Sequence, residues 1–393
     1  MSDLKAVVAG TIALDIVPAF PKDTCESAEI LMEGKTIYID DISLILGGCV
    51  SNTGVAMHRL GAPVTLCSKI GDDPLGDVVQ RMLEKTGTKY VLARSTGKNS
   101  SATIVVTPEG KDRTFWHRRG ASQEYCFEDL PQECLKDSAL FHFGYPTGME
   151  CMYSDGGDTL QALFQGVKEM GLTTSLDLSL PGLTSASAKA DWRAIMAKTL
   201  PYVDVFLPSI EELMFLLRRD TYLKVLEKAG MDYAIDYIDL EILDSLKEEI
   251  LGFGVKVFGL KLGKNGIYLC TAGKEGMREI GALRSVLSGE WYDRELLEPP
   301  FAVERLYSTN GAGDTAIAGF LTGMLKGWSP EHCLKLATGS AAFRIGSAEG
   351  ADAILDAKEV MERCVNREKI KLTRLPPSWQ WSNMKYSCRR WRT

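Results

Sequence analysis

The chain has 393 residues, 45% apolar and 25% charged, with 45 basic against 52 acidic side chains and a net charge of −7. A composition so near the globular average excludes collagen, coiled coil and general disorder, and no apolar run approaches the roughly 18 residues of a spanning helix. The acidic balance argues against a nucleic-acid or anionic-membrane surface, and ten cysteines without a Cys-x-x-Cys pair read as reduced core thiols of a cytoplasmic protein.

Residues 4–17 open the chain as an apolar run interrupted by Asp15, without a basic flank or small-residue cleavage site. A buried strand is read there, with its β-rich run at 4–9, and not a signal peptide. Further β-rich runs follow at 64–70, 139–143, 172–178, 203–207 and 255–261, bounded by Gly, Pro or Asp. Helical periods lie between them. Leu75, Val78, Val79, Met82 and Leu83 repeat at helical spacing before Gly87, and Leu160, Leu163, Phe164, Val167 and Met170 do so before Gly171. Ile317, Phe320, Leu321, Met324 and Leu325 repeat the pattern before Gly327. Alternation of this kind predicts an α/β/α sandwich on a mostly parallel sheet covered on both faces. Residues 36–46, 102–107 and 113–117 are extended with no helix between segments; they put lid strands within about 15–47 and 100–120 and suit a small antiparallel flap that shuts water from a site at the sheet edge. Residues 218–252 read as a charged helical insertion, residues 1–365 as one body, and 366–393 as a tail.

Two glycine loops stand before helical periods. Gly311, Ala312 and Gly313 precede the third period, where free backbone N–H groups and the helix's positive end favour an anion. Asp314 falls in the first turn beside them. A carboxylate next to an anion hole is what phosphoryl transfer to a hydroxyl requires, although a dipole-complementing Asp after a simple turn fits the spacing equally well. Gly47 and Gly48 form the second loop, followed by Asn52, whose amide offers a donor and an acceptor. Asp15 is placed to accept hydroxyl hydrogen bonds. Taken singly, Asp15 reads as a turn residue and Asn52 as a helix-start residue. Gly34-Lys35-Thr36 is no Walker A loop, because Glu29 stands where its first glycine belongs.

Taken together and in order, these pieces resemble the ribokinase-like (PfkB) family of sugar and nucleoside kinases. Gly10 to Asp15, Gly47-Gly48 through Asn52 to Gly61, Gly71-Asp72-Asp73 with Gly76, Lys261 to Gly266, and Thr309 to Asp314 carry the likeness across about residues 4–355. The resemblance implies a ribokinase-like three-layer sandwich with a small β-strand lid and ATP-dependent phosphorylation of a hydroxyl group. It implies that Asp314 is the base, that Gly311, Ala312 and Gly313 form the anion hole, and that Asp15, Gly47, Gly48 and Asn52 hold the sugar. Lys261, Gly263 and Gly266 would lie near the nucleotide phosphates, and the helix bearing Thr338 to Ile345 would wall the adenine. Glu212 would act on Mg²⁺ through water, with a monovalent cation as a further candidate cofactor. Three positions depart from the family pattern. Ser209 replaces the asparagine that partners Glu212, Ser308 stands where an aspartate is usual, and Cys49 takes the place of a lysine common in ribose kinases.

The partners implied are a small sugar and ATP, with a homodimer formed through the exposed lid edges. Two alternatives remain open: an adenosine-like nucleoside kinase, and a non-catalytic sugar-binding or regulatory module on the same fold. Arg113, His117, Arg118 and Arg119 read as solvated lid charge rather than an anion clamp, and His58, His142 and His332 as structural. Asp177, at a strand end, borders the sugar crevice or makes a turn. The tail from Asn366 to Thr393 holds eight basic side chains and one acidic one, a net +7 that leaves −14 on the body. With Trp379, Trp381 and Trp391 behind Pro376-Pro377, it reads either as folding back on an acidic surface or as a disordered extension.

Overall fold

The computed structural model describes residues 4–21, 33–34, 36–107, 114–230, 233–372, 379–382 and 385–388, with the backbone alone for 380–382 and 385–388. Arg113, Pro376-Pro377, the Trp381 side chain and Trp391 lie outside the described residues.

Fifteen strands form two sheets among the described residues. In chain order they are β1 (Ala6–Gly10), β2 (Ala13–Ala19), β3 (Asp41–Gly47), β4 (Val64–Gly71), β5 (Lys89–Ser95), β6 (Ala102–Val106), β7 (Thr114–Arg118) and β8 (Leu140–Gly144). Then come β9 (Thr173–Asp177), β10 (Val205–Phe206), β11 (Val257–Lys261), β12 (Ile267–Thr271), β13 (Glu295–Glu298), β14 (Trp379–Ser382) and β15 (Lys385–Cys388). The large sheet runs β14-β15-β13-β12-β11-β10-β9-β8-β1-β4-β5, parallel from β11 to β5 and antiparallel at the other edge. Strand β1 is buried along its whole length, as a central parallel strand covered on both faces must be. One apolar cluster lies on each face, one built around Phe141, Phe143 and Phe164 and the other around Trp291, Phe320 and Leu321. His142 is fully buried on β8, its Nδ1 2.9 Å from the Ser175 hydroxyl, and burial drives its pKa down to about 3. It is a neutral core histidine, as its lack of metal spacing suggested.

The second sheet is the lid, in the order β3-β2-β6-β7. Its outer pairs are antiparallel, but β2 and β6 run parallel, where an all-antiparallel flap was expected. The opening apolar run also divides. The strand read at 4–9 is β1, after which the chain leaves the large sheet at Gly10, with φ 127, and enters the lid as β2. A Cβ on Gly10 would meet the Gly144 carbonyl at 2.3 Å, so only glycine fits this crossing.

The tail is no appendage where it is described. Ala302 N–H donates to the Glu368 carbonyl and Ile370 N–H to that of Pro300, and the β14–β15 hairpin then pairs with β13. Trp379 packs edge-on against Tyr268, with centroids 5.9 Å apart. Strand β13 would otherwise present an open antiparallel edge.

The chain runs outward from β1 to β4 and β5 and returns on the other side of β1 as β8, so strand order reverses between β1 and β8. In open α/β sheets the crevice outside the carboxyl ends of the strands at such a switch is the place for ligands.

Candidate active site

Five parallel strands deliver side chains to that crevice. Gly10 ends β1 and Thr11 follows it, Tyr145 follows β8, Asp177 ends β9, Ser209 and Glu212 follow β10, and Lys261 ends β11. The Ala312–Leu325 helix points its N-terminus at the same place. Gly311 caps it at φ 69 without a side-chain acceptor. The Ala312 N–H donates to the Thr309 carbonyl at 3.2 Å, whereas the Gly313 and Asp314 amides make no hydrogen bond among the described residues. The loop therefore presents open donors at the positive end of a 14-residue helix.

Asp314 is buried, and its Oδ1 is held from two sides: the Tyr145 hydroxyl donates to it at 2.5 Å and the Thr53 hydroxyl at 3.3 Å. Its second oxygen receives neither. Tyr145 adopts φ 68, a left-handed conformation uncommon for a side-chain-bearing residue, and strain of this kind collects at ligand sites. Burial and the Asp314 charge push the Tyr145 phenol well above its ordinary range, so it stays a neutral donor.

Beside this carboxylate sits a buried charge cluster. Lys261 Nζ lies 2.6 Å from Asp177 Oδ1, with Glu212 and Asp314 also favouring the ammonium. Its stem packs on the anion loop, since a Cβ on Gly313 would stand 3.5 Å from Lys261 Cδ. Burial pushes the Asp177 carboxyl upward against the pull of Lys261, and burial raises Glu212 as well. Ser209 and Glu212 form a reciprocal cap: Ser209 N–H donates to Glu212 Oε2 at 2.6 Å, and the Ser209 hydroxyl accepts from the Glu212 N–H at 3.2 Å. Serine at 209 thus fixes the helix start and orients Glu212. Among the described residues no three His, Cys, Asp or Glu side chains converge as a metal cage.

The other glycine loop packs as tightly. Gly48 has φ 85, and a Cβ on it would meet the Thr11 carbonyl at 2.6 Å, while a Cβ on Gly47 would lie 2.5 Å from both Asp15 carboxylate oxygens. Asp15 and this loop are therefore in contact. Asn52 is half-buried in the Cys49–Arg59 helix, and its side-chain amide makes no hydrogen bond among the described residues. Cys49 is buried against β8, where a Cβ on Gly144 would overlap its sulfur.

Gly263 and Gly266 shape the β11–β12 turn, where a Cβ on Gly266 would lie 2.0 Å from the Glu298 carbonyl. Gly263 has open space around it. On the lid side, His117 bonds the Thr103 hydroxyl at 3.0 Å and Arg119 donates to the Tyr153 hydroxyl, with Arg118 exposed, so these side chains form no clamp. Tyr145, Thr53 and Arg344 were not singled out from sequence. Arg344 Nε donates to the Asn310 carbonyl at 2.7 Å directly behind Gly311.

Three comparisons give this geometry a context. The family model described as "pfkB family carbohydrate kinase" matches residues 7–357. An uncharacterized sugar kinase of Archaeoglobus fulgidus is 25% identical over 307 residues, covering 77% of this chain and 100% of that protein. Among solved structures, Arabidopsis thaliana ribokinase complexed with ribose and ATP superposes with a TM-score of 0.66 at 18% identity, over 92% of this chain and 99% of the other. A fructokinase with bound ATP from Xylella fastidiosa gives 0.64 at 16%, over 91% and 97%. The last two establish the fold.

Proposed function

The chain belongs to the pfkB family of carbohydrate kinases, and from that premise we propose that it moves the terminal phosphate of ATP onto a hydroxyl of a small sugar or sugar derivative with Asp314 as base. One observation supports this most directly. Asp314 has one oxygen fixed by two hydroxyls and the other left over, beside the open amides of a helix N-terminus. The free oxygen would accept the acceptor's proton as its oxygen attacks phosphorus, and the amides would hold the phosphoryl charge. Asp15 and Asn52 would hold acceptor hydroxyls across the crevice. Mg²⁺ would be carried by nucleotide phosphates and water, as this ion prefers, with Glu212 as its outer contact. Eight unpaired cysteines among the described residues favour a reducing, cytoplasmic setting. Among those residues no helix is long and apolar enough to cross a membrane.

The test is ADP release from Mg-ATP in the presence of a panel of sugars, polyols and nucleosides. At least one sugar should raise the rate well above the acceptor-free background. If none did, the catalytic reading would fail; if only nucleosides did, the acceptor class would be wrong.

Acceptor binding should depend on pH through Asp15. Burial raises its carboxyl from 3.8 to about 6, against the opposing pull of the Thr103 hydroxyl. The ionised form, which accepts hydroxyl protons best, therefore dominates only above about pH 6. Acceptor KM should rise as pH falls through this point, approaching about tenfold per unit below it, and Asp15→Asn should flatten the profile. An unchanged profile in the variant would remove Asp15 from the acceptor site.

We also propose that two copies pair through the lid. On the edge strand β3, Ile42, Leu44 and Ile45 are 54%, 45% and 47% exposed, and on β7 Phe115 and Trp116 are 50% and 45% exposed. An open strand edge with so much apolar surface invites a partner. Sedimentation should give the mass of two chains, and Leu44→Glu should give one. A wild-type mass of one chain would end the proposal.

A further inference from the structure

Arg344 sits near the end of the Pro330–Ile345 helix and is only 7% exposed. Its bonded partner among the described residues is a neutral carbonyl, that of Asn310. Its Nη1 is shut away from solvent and has no partner among the described residues. The guanidinium lies flat against the anion loop: a Cβ on Gly311 would stand 2.4 Å from Nη2 and 2.6 Å from Cζ. Glycine at 311 is thus demanded both by φ 69 and by this side chain.

The electrostatics of the arrangement are unusual for a structural arginine. A guanidinium remains charged inside proteins, and this one is placed at the positive end of the Ala312–Leu325 helix. Two positive fields meet there, and an incompletely paired buried cation is costly. The Asp314 carboxylate favours its charge, but that carboxylate is bonded to Tyr145 and Thr53. A phosphate in the loop would satisfy both fields, because a guanidinium and helix amides are matched donors for phosphate oxygens.

We propose that Arg344 binds the phosphoryl group in flight, its guanidinium donating to a terminal-phosphate oxygen while that group occupies the Gly311–Gly313 loop. This rests on the reading of that loop as the anion hole. The terminal phosphate is the one concerned, because the loop adjoins Asp314 and the reacting phosphorus must lie beside the hydroxyl that Asp314 deprotonates. In the transfer, the acceptor oxygen bonds phosphorus, its proton passes to Asp314, and the bridging bond breaks with its electron pair leaving on ADP. Arg344 gives up no proton; it neutralises charge on the oxygens that are neither attacking nor leaving.

The test compares the Mg²⁺ complexes of the non-hydrolysable triphosphate AMP-PNP and of ADP by calorimetry, in the wild type and in Arg344→Met. The wild type should prefer the triphosphate. Arg344→Met should bind it at least about tenfold more weakly, the order of one charge-assisted contact, while ADP affinity changes by less than about twofold. Equal weakening of both nucleotides would mean that Arg344 only positions Asn310, and an undiminished triphosphate preference would also overturn the proposal. A wild type that binds neither nucleotide would instead sink the reading of the loop itself. Should the variant not fold, a crystal structure of the wild type with Mg-AMP-PNP decides the matter. A guanidinium nitrogen of Arg344 within about 3 Å of a terminal-phosphate oxygen supports the proposal, and a separation beyond hydrogen-bond range overturns it.

Discussion

Replacing Asp314 by Asn is expected to lower kcat by a factor of about 10²–10⁴, the usual worth of a positioned base, with acceptor and nucleotide binding little changed. The geometry says why the loss should fall on turnover. Tyr145 and Thr53 both donate to Oδ1, and an asparagine carbonyl can keep both bonds. The amide nitrogen would then stand where the second carboxylate oxygen was, and an amide NH₂ cannot take up a proton. The variant should still show ligand-induced thermal stabilisation with the acceptor that drives ADP release, since binding to the folded state alone raises the melting temperature. Wild-type turnover in Asp314→Asn would remove the base assignment. Loss of stabilisation together with turnover would mean that the residue holds the site together and does no proton transfer.

Much of this site was legible because its parts announce themselves locally. Parallel strands are short apolar runs ended by Gly, Pro or Asp, and glycine before a helical period marks an open helix N-terminus. The runs at 64–70 and 139–143 became β4 and β8, and the third helical period became the Ala312–Leu325 helix. What stayed hidden is contact between distant parts of the chain. Tyr145 and Thr53 meet Asp314 across 169 and 261 residues, and Arg344 reaches Asn310 from the following helix. No periodicity encodes such pairings. One signal was available and unused for Tyr145: it follows a predicted strand's carboxyl end, as Asp177 does, and ligands collect at those ends. Glu212 shows the opposite case. Its likeness to a metal-placing residue was visible, but its cap to Ser209, which fixes where the carboxylate sits, emerges only from the fold. The tail shows a third. Its charge suggested a surface contact, whereas the described part is held by strand pairing with β13, which composition does not signal.

Lys261→Met is expected to be the most destabilising of the substitutions considered, by about 3–5 kcal/mol, the range for removing one partner of a buried ion pair. Lys261 is the ammonium facing Asp177, Glu212 and Asp314, and the Asp177 side chain is only 2% exposed. Without it, burial and the neighbouring carboxylates act on Asp177 unopposed and drive its already raised carboxyl further up. The sign of the pH dependence follows. A carboxyl whose folded pKa exceeds its unfolded value favours the folded state while protonated, and loses that contribution as pH rises through the folded pKa. The deficit of Lys261→Met should therefore be smaller at pH 6 than at pH 8 in chemical denaturation. Adding Asp177→Asn should recover most of the stability, because removing both charges leaves no uncompensated ion. Turnover should not recover with it. The ammonium packs on the anion loop at Gly313 and is favoured by the Asp314 carboxylate it faces, a field that two neutral side chains do not replace. A Lys261→Met protein as stable as the wild type would show that the pair contributes nothing to the fold. A double variant that regained full turnover would show that the cluster is scaffolding, and that the chemistry of this crevice needs only Asp314 and the loop beside it.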